Sequence, residues 1–126
     1  MSSEMWYTSA METIDSLATL ALVLSDPIRL RILDLLVIGR DASCRSMEHP
    51  QFPLALCPRD LQQKLGDITP SKLSYHLKEL RSAKLIQEHR SGKHIHYTPN
   101  QPVLEHFFAA MKQRYLTARN PEGTSI

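Results

Sequence analysis

The sequence is short of the residues that mark several protein classes: two cysteines, four glycines and a 6% share of aromatics in 126 residues. Two cysteines are too few for the disulfide framework of a small secreted domain, and in a reducing compartment they are free thiols, metal ligands or a redox pair. So few glycines leave no Gly-rich loop to cradle nucleotide phosphates. No apolar run approaches the roughly 18 residues that span a bilayer. The first residues carry acids where a signal peptide has bases, so no leader is expected and the expected compartment is the cytoplasm. Nor does any nucleophile, base and orienting group recur at catalytic spacing. His94 and His96 alternate along a strand-like run, which reads as a solvated or phosphate-facing pair, so an enzyme is not expected.

What the chain does hold is enough apolar residue, 42%, to bury one core, and a length typical of one domain. Residues 1–118 are expected to form that domain and residues 119–126 a disordered tail. The formal net charge of +2 hides an asymmetry. Residues 1–36 carry a net −3, whereas residues 59–98 carry +4 together with His76, His89, His94 and His96. A basic middle on a near-neutral chain fits a phosphate-facing surface, and equally a solvated basic face.

Periodicity gives the elements. Residues 9–24 place Met11, Ile14, Leu17, Ala18, Ala21, Leu22 and Leu24 at helical spacing. Ser25-Asp26-Pro27 stops that helix and starts another over 27–38, with Ile28, Ile32, Leu35 and Leu36 inward and Gly39 as its stop. Residues 40–56 have no period and contain Pro50 and Pro53; a loop of that length is functional or mobile. A short helix over 58–65 follows, with Cys57 at its cap and Gly66 at its end. After a tight turn, Thr69 and Pro70 open a helix over 70–83 whose stripe is Leu73, Leu77 and Leu80. Two strand-like runs, 85–90 and 94–98, are joined at Ser91-Gly92-Lys93. A last helix over 102–118 buries Val103, Leu104, Phe107, Phe108, Met111 and Leu116.

The order is helix, helix, loop, short helix, turn, helix, hairpin, helix. It predicts a mainly α fold with a small β-hairpin wing: a winged helix-turn-helix whose second helix enters the major groove of double-stranded DNA. Ser71 and Ser74 allow close approach there, Lys72 reaches a phosphate or guanine, and Tyr75 offers a donor and an apolar face. Arg90 and Lys93 flank the wing's Gly turn, where a cation meets phosphate or the minor groove. The outer helices are apolar enough to bury a partner, with Trp6 and Tyr7 extending that surface, and paired half-sites favour a homodimer.

Residues 24–36 (LSDPIRLRILDLL), 70–86 (PSKLSYHLKELRSAKLI) and 90–97 (RSGKHIHY) resemble the ArsR family of bacterial winged-helix repressors, and the resemblance runs over about residues 15–116. It implies a homodimer formed by the first and last helices, and a repressor that an inducer releases from its operator. By motif match it puts Ser71, Lys72, Ser74, Tyr75 and His76 toward DNA; Lys78 on the same polar face, with Arg90 and Lys93 on the wing, completes the candidate set. His76 has a rival role in packing, since it precedes the core residue Leu77.

Many members of that family capture arsenite or soft metals with a Cys-x-Cys pair at the start of the helix-turn-helix. Here Cys57 matches the first cysteine and Arg59 replaces the second. Others bind zinc on the last helix, where this chain offers His106 beside Glu105, adjacent positions that do not share a helix face. Cys57, at a helix N-terminus near Arg59, sits where a thiolate is favoured. Three readings stay open: a Cys44–Cys57 disulfide as a redox switch, a soft-ion site (arsenite or zinc) from Cys44, Cys57 and His49 or a partner's cysteine, and inert thiols with control by another ligand. A winged-helix module that binds another protein instead of DNA is the remaining alternative.

Overall fold

A computed structural model describes residues 13–116. The elements run α1 (Ile14–Leu24), α2 (Pro27–Ile38), α3 (Pro58–Leu65), α4 (Pro70–Ser82), β1 (Ile86–Ser91), β2 (His94–Pro99) and α5 (Gln101–Tyr115). The starts follow from local chemistry. Thr13, Asp26 and Thr69 each accept a backbone N–H of the first turn, from Ser16, Ile28 and Lys72. Proline opens α2, α3 and α4, where its missing N–H costs nothing. Met11, Trp6, Tyr7 and the tail from 119 lie outside the described residues.

β1 and β2 pair antiparallel from Ile86↔Pro99 to Ser91↔His94, leaving Gly92-Lys93 as the turn, with Gly92 at φ 63°. Leu56 adds a one-residue third edge to this wing through an antiparallel bridge to Tyr97. One core joins every element: Leu17, Leu20, Ile32, Leu36, Leu56, Leu61, Leu73, Leu77, Leu80, Leu85, Val103 and Phe107 all belong to it.

Four details depart from the periodicity. In α1 the inward stripe is Leu17, Leu20 and Val23, while Ile14 and Leu22 face out, Leu22 at 72% exposure. The helix is apolar on more than one side, and a single neighbouring layer can cover only one. In α5 Val103 and Phe107 are buried, Leu104 and Met111 half-buried, and Phe108 and Leu116 exposed, for the same reason. In α2 Ile32, Leu33 and Leu36 go inward together with Arg29, and Ile28 and Leu35 are only half-buried.

The fourth is His96. It does not share a wet strand face with His94 but is 2% exposed, because the 40–56 insert covers that face. The insert is closed at its base, where Arg40 N–H donates to the Leu54 carbonyl at 2.9 Å. Its middle is pinned by His96 Nε2 at 2.9 Å from the Met47 carbonyl and by Phe52 stacked on His89, with ring centroids 3.7 Å apart.

Candidate nucleic-acid interface

α3, the turn at Gly66 and α4 form the helix-turn-helix. Gln62 Nε2 donates to the Ile68 carbonyl at 3.0 Å, and Ile68 N–H to the Gly66 carbonyl at 2.9 Å, which fixes the angle between the helices. α4 then presents two different faces. Leu73, His76, Leu77 and Leu80 are buried, and Ser71, Lys72, Ser74, Tyr75 and Lys78 are exposed. A cleft of about 470 Å³ runs along this outer face between α3, α4 and the wing, and Arg59, Gln62, Ser74, Lys78 and Ile95 line it. The exposed set is hydroxyls, cations and one phenol, with no carboxylate among them.

The wing tip carries Lys93 beside Gly92, and Arg90 one turn back, both exposed. Arg90 Nε lies 3.9 Å from Glu88, which also receives Arg81 at 3.0 Å and the Tyr97 hydroxyl at 3.2 Å. Glu88 therefore holds the wing to α4. The loose Arg90 contact, on a largely exposed side chain, leaves that guanidinium available for another anion.

His76 sits differently from its motif neighbours. It is 3% exposed, and its Nδ1 accepts from Arg29 Nε at 3.0 Å. Burial pushes its pKa below the ordinary histidine value; Asp26 opposes this, while the Arg29 and Lys72 charges add to it. Arg29 is itself buried, donates to the Val23 carbonyl at 3.3 Å and lies 5.5 Å from the Tyr75 ring centroid. One guanidinium thus ties the end of α1 to the middle of α4. Sequence reasoning missed Arg29, although 29, 32, 33 and 36 form an i, i+3, i+4, i+7 set; its charge had placed it outside.

The thiols lie apart from this face. Cys57 is buried at the N-cap of α3, and its backbone N–H donates to Asp60 Oδ2 at 3.4 Å. Buried Asp60 also accepts from Ser46 Oγ at 2.7 Å and pairs with Arg40 at 3.6 Å. Cys44 is half-buried, its Sγ 3.8 Å from Asp41 Oδ1, and both thiols are free. The Ser43 hydrogen bond and the Lys64 ammonium hold Asp41 well below the usual carboxylate range. His49 is buried among Phe52, His89 and His96, with centroid distances of 5.2, 6.0 and 5.5 Å. Among the described residues no three His, Cys, Asp or Glu side chains are grouped to hold a metal ion. No described helix is long and apolar enough to cross a membrane.

Five helices with a two-stranded antiparallel hairpin after α4 define a winged helix-turn-helix DNA-binding fold. No family model matches the chain. It is 33% identical over 90 residues to an arsenical resistance operon repressor of Staphylococcus xylosus, covering 71% of each chain. It is also 33% identical over 82 residues to the transcriptional repressor SdpR of Bacillus subtilis, covering 65% of this chain and 73% of that one. Among solved structures, NolR from Sinorhizobium fredii superposes with a TM-score of 0.57 at 24% identity, covering 94% of this chain and 97% of that one. A homodimeric winged helix-turn-helix domain from Mycobacterium bovis does so with a TM-score of 0.57 at 21% identity, covering 82% and 84%. The chain belongs to the ArsR family of winged-helix transcriptional repressors, a family of DNA-binding regulators and not of enzymes.

Proposed function

We propose that this protein is a homodimeric repressor that reads operator DNA with α4 and steadies itself on the backbone with the wing. The observation that carries the reading is the outer face of α4, where Ser71, Lys72, Ser74, Tyr75 and Lys78 are all exposed and no acid interrupts them. In this reading Lys72 and Lys78 meet phosphate or guanine, the serines and Tyr75 meet base edges, and Arg90 and Lys93 meet the flanking backbone. His76 supports the face from behind through Arg29.

The dimer is assigned to α1 and α5. Their inner faces pack into the core, and their outer faces leave Ile14, Leu22, Phe108 and Tyr115 exposed. That is more apolar surface than two solvated helices carry without a partner. The M. bovis domain of the same fold is a homodimer, which supports pairing of two copies.

The release signal is assigned to the thiols: a thiol-reactive or soft-metal agent at Cys44 and Cys57. What supports it is the place of Cys57, which caps the first helix of the helix-turn-helix, so a group bonded to its sulfur disturbs the angle at which α4 is presented.

The test is binding of the reduced protein to a duplex selected from a random pool. Lys72→Ala with Tyr75→Phe, which keeps the ring over Arg29, lowers affinity roughly 100-fold, two contacts at about 1.4 kcal/mol each, with the melting temperature unchanged. Full affinity in that variant sinks the assignment of α4 and revives the protein-binding alternative. Release by arsenite, zinc, cadmium or peroxide that disappears in Cys44→Ser and Cys57→Ser supports the thiol signal. Release that survives both substitutions retires it.

A further inference from the structure

We propose that the insert at 40–56 adds a DNA-backbone contact of its own, with Arg45, Arg59, Lys93 and His94 converging on one phosphate-binding cleft beside the face read by α4. This rests on the DNA-reading assignment above and extends it to a part of the chain that the helix-turn-helix does not include.

The cleft has a volume of about 500 Å³ and lies between three segments distant in sequence. Arg45 comes from the insert, Arg59 from the first turn of α3, and Lys93 and His94 from the wing, with Cys57 on its wall. All four of the converging side chains are exposed, and no carboxylate lines the cleft. Their isolation from acids contrasts with the cations around them. Arg40 pairs with Asp60, Lys64 with Asp41, and Arg81 and Arg90 with Glu88. Arg45, Arg59 and Lys93 have no ion pair or side-chain hydrogen bond to another described residue. The insert's two acids leave Arg45 unneutralised: Asp41 pairs with Lys64, and Glu48 forms no ion pair with a described residue and does not line the cleft. Three permanent positive charges gathered without a counter-charge repel one another, and an anion brought among them relieves that repulsion.

Continuity says which anion. Arg59 lines this cleft and also the neighbouring one formed with Gln62, Ser74 and Lys78 along α4, and Pro58 and Ile95 are shared between the two. A duplex lying on α4 and the wing tip therefore runs its sugar-phosphate strand past Arg59 toward Arg45. A small free anion fills a cleft; it does not explain a cationic track that continues into the reading face. The insert is also held firmly enough to present a contact. Arg40 donates to the Ser46 hydroxyl and carbonyl, and Ser46 donates to buried Asp60, so the residue next to Arg45 is fixed to α3.

Phosphate contacts have a signature that packing residues lack. Each one lost lowers the slope of log K against log salt by about 0.9 for B-DNA. The experiment is fluorescence-anisotropy binding of the full chain to a labelled random-sequence duplex between 50 and 200 mM salt, for wild type, Arg45→Ala, Arg59→Ala, the double variant and Lys72→Ala. Each arginine variant is expected to flatten the slope by about 0.9 and the double by about 1.8, so that raising the salt across this range costs the double variant about 12-fold less affinity than wild type. Thermal midpoints stay unchanged, because both side chains are exposed and hold nothing in place. An unchanged slope in Arg45→Ala, with Lys72→Ala still flattened, overturns the insert's role and leaves the α4 reading standing. A wild-type protein with no salt-dependent duplex binding overturns both. Weakening of equal size at every salt concentration means the arginines act through the fold, and this also overturns the proposal.

Discussion

Replacing Arg29 by methionine tests the link between α1 and α4. Methionine keeps most of the aliphatic stem and removes the guanidinium. That deletes the 3.0 Å bond to His76 Nδ1, the 3.3 Å bond to the Val23 carbonyl and the contact with the Tyr75 ring at 5.5 Å. Two buried acceptors are left bare. A hydrogen bond from a charged donor is worth about 1.5–3 kcal/mol, and an exposed cation–π contact about 0.5–1 kcal/mol. Against this, methionine escapes the desolvation cost of a buried guanidinium that has no carboxylate partner, which offsets part of the loss. The expected net change is a destabilisation of about 2 kcal/mol. Urea denaturation at fixed protein concentration measures it, the concentration held constant because a dimer's stability depends on it. A double-mutant cycle with His76→Phe then isolates the pair, and the expected coupling is about 1–2 kcal/mol. Additive effects, or a loss below about 0.5 kcal/mol in Arg29→Met, would show that the guanidinium–imidazole bond does not hold α4 to the rest of the molecule.

Other outcomes follow from the same geometry. His76 and His89 both have pKa values pushed down, by burial first, and for His89 also by the neighbouring His49 and His96. The unfolded chain therefore takes up protons near the ordinary value of 6.5 before the folded one does. Stability is complete above that pH and falls as the pH drops below it, by at most about 1.4 kcal/mol per pH unit for each histidine. The perturbed carboxylates Asp26 and Asp41 are shifted downward from 3.8, so denaturation curves between pH 7 and 5 isolate the histidines, and flat stability there refutes the reasoning. Leu22→Glu or Phe108→Glu, on exposed positions of the outer helices, is expected to convert the dimer to a folded monomer in light scattering with helical content intact; a dimer surviving both places the interface elsewhere. Gly39→Ala forces a side chain onto φ 84° with its Cβ 3.1 Å from Leu54 Cβ and 3.2 Å from the Leu54 carbonyl oxygen. The strain costs about 2–3 kcal/mol and is read as a lowered melting temperature, whereas an unchanged midpoint means the insert yields at its base.

Element order was legible because each boundary carried its own chemistry. Asp26-Pro27 and Thr69-Pro70 are cap-then-proline pairs, and Gly66 and Gly92 stand where a turn needs positive φ, so the helix-turn-helix and the wing could be placed from local residues alone. The faces were less legible. α1 and α5 are apolar on two sides, and periodicity cannot say which side meets the core and which meets a partner. Leu20 and Val23 went inward while Leu22 stayed out because α2 and α5 lie on one side only. Arg29 was hidden for the opposite reason: it is a polar type that the fold buries against His76, 47 positions away, and no local pattern announces that partner, although the place of His76 before Leu77 had already suggested packing.

The insert shows most clearly where residue types mislead. His49 was grouped with Cys44 and Cys57 on chemistry alone, as a soft-ion ligand. In the fold its Nδ1 accepts two backbone N–H groups, from Gln51 at 3.0 Å and Phe52 at 3.2 Å, which leaves its proton on Nε2. His96 Nε2 faces the Met47 carbonyl, an acceptor, so His96 donates there and keeps a bare Nδ1. Backbone groups thus impose the same Nε2-protonated tautomer on two rings 5.5 Å apart at 83°, leaving a donor on His49 Nε2 and an acceptor on His96 Nδ1, both buried and unbonded among the described residues. A histidine that ligates a metal offers a lone pair from one nitrogen and donates from the other. His49 as bonded here can donate from Nε2, but its Nδ1 lone pair reaches a metal only by giving up the two backbone bonds that shape residues 49–52. Its chemistry in this conformation is that of an anchor between insert and wing, and ligation requires the insert to unfold locally first. A signal that reached the cysteines by loosening the insert would then also withdraw Arg45 from the DNA side. In the proposed scheme, sensing at Cys44 and contact at Arg45 are therefore alternatives for the same seventeen-residue segment, 40–56, with Cys57 immediately beyond its end at the cap of α3.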